Sequence, residues 1–315
     1  MYLKDKRILI AGIDHGFSSI KSNHFIFDNG VENYGGETTM TTNTMKYEGE
    51  YYKVGEGRLP LKNKKTDDSD YLLLTYAAIA KEIEFYELPE NAKLDVVIGA
   101  GLPFTRFGDE KNDFYNYLKI GSVRFKYEGR NYFVNIREVY LFPQCYAAVA
   151  NILGKLAPEQ LIVDIGSKTI DIIHTQNYVP IERDCVTIPE ALIHCMADIN
   201  NVVYRKKNCT LKEYQIQDVM INGTGSFGDD YLKIVQNELR KFAEGVEAKL
   251  RELGFVLELT PVIYVGGGAT VMKHFGSIKG RNICYQEDVK ANAIGYEYLA
   301  SKKVEGWANG QERNV

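Results

Sequence analysis

Two short segments carry the residue types that hold an anion beside a carboxylate. The first is Asp14-His15-Gly16-Phe17-Ser18-Ser19-Ile20-Lys21. The second is Asp164-Ile165-Gly166-Ser167-Lys168-Thr169-Ile170-Asp171. Glycine lets the main chain approach a ligand closely, and successive N–H groups in such a turn form an anion-binding nest. In the first segment Gly16, Phe17 and Ser18 make the turn and Lys21 adds a positive charge. Asp14, at the strand end, can hold Mg²⁺ through water. In the second, Gly166 is followed by Ser167, Lys168 and Thr169, and the Ser167 and Thr169 hydroxyls are expected to face phosphate. Asp164 completes a carboxylate pair around a metal. Taken alone, each segment is also what an ordinary hairpin turn contains.

Two further segments add chemistry. Gly266-Gly267-Gly268-Ala269 follows an apolar run, and three consecutive glycines leave a bare main chain that admits a flat ring or a phosphate. A flexible turn has the same composition. Gln144, in Phe142-Pro143-Gln144, is placed to orient a water for attack on a phosphoryl group. A solvent-facing glutamine is the plainer alternative. Other signatures fail. Gly99-Ala100-Gly101 begins like a dinucleotide fingerprint, but its third glycine position is Phe104, preceded by Pro103. There is no GxxxxGK[ST]. The five histidines and five cysteines show no metal-site spacing, and no CxxC pair exists.

These segments need strands and helices to position them. Arg7–Ile13 reads as a buried strand, with His24–Phe27 as its hairpin partner. Residues 29–68 give no clear pattern beyond a short hairpin around Gly49. Ser69–Glu87 has its apolar residues at helical spacing, with Ser69 as N-cap. Leu94–Ile98 is a second buried strand, and Asp109–Leu118 is helical. Val123–Tyr127 and Tyr132–Leu141 alternate like a hairpin turning at Glu128-Gly129, and Pro143 reads as the first residue of a helix. The pattern then restarts: strands at Leu161–Ile165 and Thr169–Thr175, and helices near Pro189–Lys207 and Leu211–Val219. A long amphipathic helix follows over Asp229–Leu253, then a strand at Pro261–Val265 and a last helix at Glu287–Lys302. The spacing in Asp229–Leu253 also suits a coiled-coil seam, but packing on a sheet is the expectation. A strand, a tight turn with Asp and Gly, and a second strand occur twice, which points to two related α/β halves.

The chain has 315 residues, 45% hydrophobic and 25% charged, the composition of a globular protein of roughly two domains. Its charge is 38 − 42 = −4. A faintly acidic chain is not expected to hold DNA by bulk electrostatics, although a local basic patch stays open. No stretch reaches about 18 apolar residues, so no membrane span is expected. The apolar start, Ile8 to Ile13, is too short for a signal peptide. Scattered cysteines fit free thiols in a reducing, cytosolic setting.

The ordered set IDHGFSSIK, VVIGAGLP, FPQ, VDIGSKTID, YVGGGA and EDVKANAIGYEYLA resembles the actin, heat-shock-chaperone and sugar-kinase ATPase superfamily. Within it the chain looks most like the bacterial ParM (StbA) actins of plasmid segregation. The resemblance implies an α/β fold of two ribonuclease H-like domains flanking a nucleotide cleft. One domain would be residues 1–158 joined by the helix 287–302, the other 159–286, with 303–315 as a flexible tail. It implies ATP and Mg²⁺ as ligands, with Asp14, Gly16 and Lys21 in the first phosphate loop. Asp164, Gly166, Ser167 and Thr169 fall in the second, Gly266–Gly268 in the adenosine loop, and Gln144 beside the hydrolytic water. Phe17 and Lys168 depart from the small residues usual at their positions. Partners implied are further copies of the chain in a head-to-tail filament and a DNA-bound adaptor, with no direct nucleic-acid or membrane contact. Two alternatives share the fold: a non-polymerising ATP-binding scaffold, and a small-metabolite kinase, for which no substrate-activating carboxylate is evident.

Overall fold

The computed structural model describes residues 1–60, 62, 64–89 and 93–308. The chain falls into two compact units. One comprises residues 1–102, 106–151 and the chain from Asn292 onward; the other comprises residues 103–105 and 152–291.

In the first unit an eight-stranded sheet is built around three parallel strands, Ile8–Gly12, Lys93–Leu102 and Arg130–Pro143. Strands read as unbroken apolar runs when both faces are covered. Helix Asp70–Phe85 covers one face of this centre, burying Leu73, Leu74, Ala77 and Ile83. Ala300 and Val304 of helix Ala291–Ala308 cover the other, against Ile8, Ile10 and Val97. The helix lies close because glycines face it. A Cβ on Gly12 would stand 2.0 Å from the Ala293 carbonyl, and one on Gly99 would stand 2.5 Å from that of Tyr296. A Cβ on Gly295, in the helix itself, would stand 1.8 Å from the Ala147 carbonyl. The Gly99-Ala100-Gly101 run therefore serves helix packing.

Four expectations need correction here. Ile8–Gly12 does not pair with His24–Phe27; it pairs with Tyr2–Leu3 and Lys93–Leu102. The hairpin is instead a separate three-stranded sheet, Asp14–His15, Ser19–Lys21 and Ile26–Asp28. Pro143 does not open a helix. It ends the long strand, paired with Leu102, and 3₁₀ turns at Ala147–Val149 and Leu153–Lys155 follow in place of a helix. A proline is tolerated at a strand end because no ladder N–H is demanded there. The last helix starts at Ala291 and runs to Ala308, past the tail expected from residue 303, because Val304 is wholly buried. Residues 309–315 of that expected tail lie outside the described residues.

The second unit repeats the plan. Gln160–Ile165 pairs antiparallel with Ile170–Gln176 and parallel with Val262–Val265, which pairs parallel with Ile283–Gln286. Helix Asp229–Glu252 buries Val235, Leu239, Ala243, Val246 and Leu250 in this unit's core, as a helix on a sheet does. Among the described residues no helix is long and apolar enough to cross a membrane.

Candidate functional site

The two turns correspond position by position at an offset of 150: Asp14 with Asp164, Gly16 with Gly166 and Ile20 with Ile170 are identical, while Lys21 falls opposite in charge to Asp171. In each, the first aspartate lies opposite the last residue in antiparallel register. The glycine packs on the carbonyl three residues on: a Cβ would stand 2.6 Å from Ser19 O in one turn and 3.3 Å from Thr169 O in the other.

The carbonyls of both turns are tied back. Asn29, 1% exposed, donates from Nδ2 to Phe17 O at 2.8 Å and to Gly16 O at 3.5 Å. In the second turn the first N–H groups of helix Leu192–Lys207 do the same: Leu192 N donates to Gly166 O at 3.4 Å and Ile193 N to Ser167 O at 2.9 Å. In a trans peptide the C=O and the following N–H point oppositely. The N–H groups of Phe17, Ser18, Ser167 and Lys168 are thereby aimed away from these partners, as a nest requires. The sequence hid Asn29, because Asn29-Gly30 reads as a turn signal rather than a buried anchor.

Asp14, 4% exposed, is the anionic centre of the first turn. Lys21 Nζ donates to its Oδ2 at 3.2 Å and Gln144 Nε2 to its Oδ1 at 3.2 Å. Burial alone would raise the carboxyl pKa. The charges of Lys21 and Lys65 outweigh it and hold the group below its ordinary value. Lys65 comes from the segment with no readable pattern, in a lysine-rich run that looks solvated. It lies half-buried, 5.6 Å from the centre of the Phe114 ring. Burial pushes its ammonium down to about 8, against the opposing pull of Asp14.

Gln144 is held at both ends of the residue. Its N–H donates to Leu102 O at 2.8 Å, while its side chain reaches Asp14. Since a carboxylate only accepts, the amide nitrogen faces Asp14 and Oε1 is the free acceptor end, the atom that can orient a water. The next residue, Cys145, sits at φ +67° with its N–H donated to Asn292 at 3.0 Å.

The first hairpin is fixed to helix Asp70–Phe85 twice. His15 Nε2 bonds Thr75 Oγ1 at 2.8 Å, and Thr75 donates its own proton to Tyr71 O at 2.7 Å, so His15 is the donor. Burial, then the Lys65 charge, lowers the His15 pKa to about 3, so the ring stays neutral. His24 bonds the buried Glu82 at 2.6 Å.

In the second turn Thr169 does not turn its proton outward. Its hydroxyl donates to Asp171 Oδ2 at 3.1 Å, and Thr187 donates to Asp171 Oδ1 at 2.6 Å. Asp164 is 7% exposed and backs onto the glycine run. Gly266 stands at φ +78°, and its Cβ would lie 2.3 Å from Asp164 Oδ1; one on Gly268 would lie 2.2 Å from the Ile165 side chain. Only Gly267 has room, with Leu192 Cδ1 at 3.6 Å. Gly266→Ala is therefore expected to destabilise by about 2 kcal/mol or more. Gly267→Ala should change stability by less than about 0.5 kcal/mol while obstructing whatever lies on that strip of main chain. Thermal melts of both, with ATP titrations of the second, check this. Ala269 begins a short helix, Ala269–Phe275, and is itself fully buried.

Among the described residues no group of three or more His, Cys, Asp or Glu is placed to hold a metal ion. All five cysteines are free thiols.

Residues 12–146 match the family model of the actin-like protein N-terminal domain. No curated protein matches the chain by sequence. Solved structures do match. The actin-like protein Alp7A is 16% identical, with 96% of this chain and 98% of that one covered, at a TM-score of 0.77. The archaeal actin homologue Ta0583 in complex with ADP is 16% identical over 93% of this chain and 99% of that one, at 0.71. A ParM from Clostridium botulinum, solved as a 15-stranded filament, is 20% identical over 93% and 99%, also at 0.71. Residues 12–146 thus resemble an actin-like N-terminal domain, and nearly the whole chain has the fold of these actin-like structures, a ParM among them.

Proposed function

We propose that this chain is an ATP-hydrolysing actin-like protein that polymerises head-to-tail, in the manner of the ParM proteins, and serves DNA segregation through a DNA-bound adaptor. The observation that carries the reading is the matched pair of turns. Each has its carbonyls tied back, and each holds a buried aspartate beside a glycine. Each turn is proposed to take phosphate oxygens of ATP on its N–H groups. Lys21 and Lys65 offset charge that develops there. Gln144 Oε1 accepts a hydrogen bond from the attacking water and so orients it, with Asp14 fixing the amide. Gly267 gives the adenosine its bare strip of main chain.

A magnesium ion fits this set if it keeps its own water and phosphate ligands, since Mg²⁺ is bound through one or two carboxylates rather than a protein cage. Asp14 and Asp164 are the residues that would hold it; it would neutralise phosphate charge. Loss of the terminal phosphate then removes contacts from the turns, which weakens a heterologous, non-closing subunit contact. Filament formation is supported by the filament of the C. botulinum ParM, and nucleotide binding by the ADP complex of Ta0583.

The test is light scattering and negative-stain microscopy with Mg²⁺ and ATP, ADP or a non-hydrolysable analogue. Scattering that rises with ATP and decays as phosphate appears is expected. ATP binding without scattering in any nucleotide state would overturn the polymer and leave a scaffold. A pH effect follows from Lys65. Its protonated form favours polyphosphate, and its pKa of about 8 lies below that of a free lysine. ATP affinity is therefore expected to fall, by up to about tenfold, between about pH 7 and pH 9 as the protonated fraction falls. Titrations with a fluorescent ATP analogue measure this, and Lys65→Met should flatten the profile.

A further inference from the structure

The outer half of the eight-stranded sheet in the first unit has one face without a covering helix among the described residues of that unit. Its inner face carries Met45, Phe125, Tyr127, Val134 and Ile136 into the core. The outer face is of another character. Across the ladder Tyr51, Lys46, Lys126 and Asn131 fall in one row, since Lys46 pairs with Tyr51 and with Lys126, and Lys126 with Asn131. Arg124, Phe133 and Lys93 fall in the next row. Arg124, Lys126, Lys46 and Asn131 are exposed.

The cations are arranged around rings. Arg124 lies 4.6 Å and Lys93 5.6 Å from the centre of Phe133; Lys46 lies 4.7 Å from that of Tyr51. Arg124, Lys126 and Lys93 have no carboxylate or hydrogen-bond partner among the described residues. Asp95, the carboxylate beside this group, is already engaged by Asn135 at 2.8 Å and Arg137 at 3.7 Å. Other carboxylates on this side meet Lys53 and Tyr51 near the far edge: Glu56 pairs with Lys53, and Glu37 accepts from Tyr51. An acidic chain thus concentrates unpaired positive charge on one strip of sheet.

We propose that this face binds single-stranded nucleic acid through its backbone, the cations moving from the rings to the phosphates so that Phe133 and Tyr51 can meet bases. Three observations choose this occupant. Lys46, Lys93, Arg124, Lys126 and Phe133 leave no aliphatic side chain in the two rows, whereas a protein interface keeps an apolar centre. Cations interleaved with aromatic rings on an open surface are what sequence-tolerant single-strand binding uses. A broad sheet face suits splayed bases, while the major groove of a duplex admits a helix or a two-stranded ribbon. The face shares no residue with the turns, so the proposal stands apart from the nucleotide reading.

The test is fluorescence anisotropy of a labelled oligothymidylate of about 16 nucleotides, without ATP, at about 50 mM and about 200 mM salt. The whole chain is expected to bind at the lower salt and to weaken steeply at the higher. Arg124→Glu with Lys126→Glu should weaken binding by at least about tenfold. It should also reduce the slope of log K against log salt by about 1.4, two single-strand phosphate contacts. Arg124→Gln with Lys126→Gln should give a smaller loss with an unchanged thermal midpoint, which separates binding from folding. Arg205→Glu with Lys206→Glu, the same charge change on the other unit, should leave affinity nearly unchanged. Four results would overturn the proposal: no binding at the lower salt, equal weakening by both charge reversals, equal or tighter binding of a duplex, or displacement by polyglutamate as effective as by unlabelled oligonucleotide. The last would assign the face to an acidic protein.

Discussion

Gln144→Ala is expected to slow ATP hydrolysis by roughly 10²-fold while leaving nucleotide affinity within about threefold. The residue is placed for this split. Its main chain is pinned to Leu102 and its amide to Asp14, so its carbonyl oxygen is the one polar atom left to meet a water. Removing it costs the orientation of the nucleophile and no phosphate contact. Filaments of the variant should form with ATP and persist, because the step that weakens them is the one removed. Phosphate release and scattering measured in one cuvette check both halves. Slow hydrolysis with equally short-lived filaments would separate polymer turnover from hydrolysis. An unchanged hydrolysis rate would remove Gln144 from the mechanism.

Gly12→Ala and Gly295→Ala are each expected to cost about 3 kcal/mol or more, the upper end for overpacking. The colliding atoms are main-chain carbonyls, at 2.0 Å and 1.8 Å from the added carbon. Neither can swing aside as a side chain would. At Gly12 the last helix must then lift off the sheet, and at Gly295 it must move away from the Ala147–Val149 turn, so that Ile8, Ile10 and Val97 lose their cover. Urea unfolding of each variant measures the loss. Gly245→Ala is the contrast: it sits mid-helix in Asp229–Glu252 with nothing within 4 Å of the added carbon. It should stabilise by about 1 kcal/mol through helix propensity. A similar loss at all three positions would mean that close approach is not what these glycines serve.

The parts of the fold visible in the sequence were those with local causes. The turn at Glu128-Gly129 was legible from its glycine between two alternating runs; Gly129 takes a positive φ of 85°, and Glu128 takes 48° without being a residue that favours it. Helix Asp70–Phe85 was legible from its spacing alone. The paired turns were legible because Asp, Gly and the flanking apolar runs are contiguous. What escaped was set by distant partners. Pro143 looked like a helix start, but its place is fixed by Leu102, forty-one residues earlier. Asn29 and Lys65 reach the first turn from a polar segment with no period, and nothing in their neighbours marks them. Thr169 looked like a phosphate ligand because its tie to Asp171 is a side-chain choice that spacing does not reveal. The glycine run was legible as a site feature, yet two of its three residues answer to Asp164 and Ile165 packing.

The helix that covers Ile8, Ile10 and Val97 follows the entire second unit in the chain. Synthesis is vectorial, so the order of completion inverts the order of translation. Residues 152–291 are continuous and can close their own core as they emerge. The first unit, begun earlier, waits with one side of its parallel strands bare until Ala300 and Val304 arrive. During that interval an apolar sheet surface is open to chaperones and to other nascent chains. A product that stopped at residue 290 would keep both turns, Gln144 and the glycine run, and would still be an aggregation hazard.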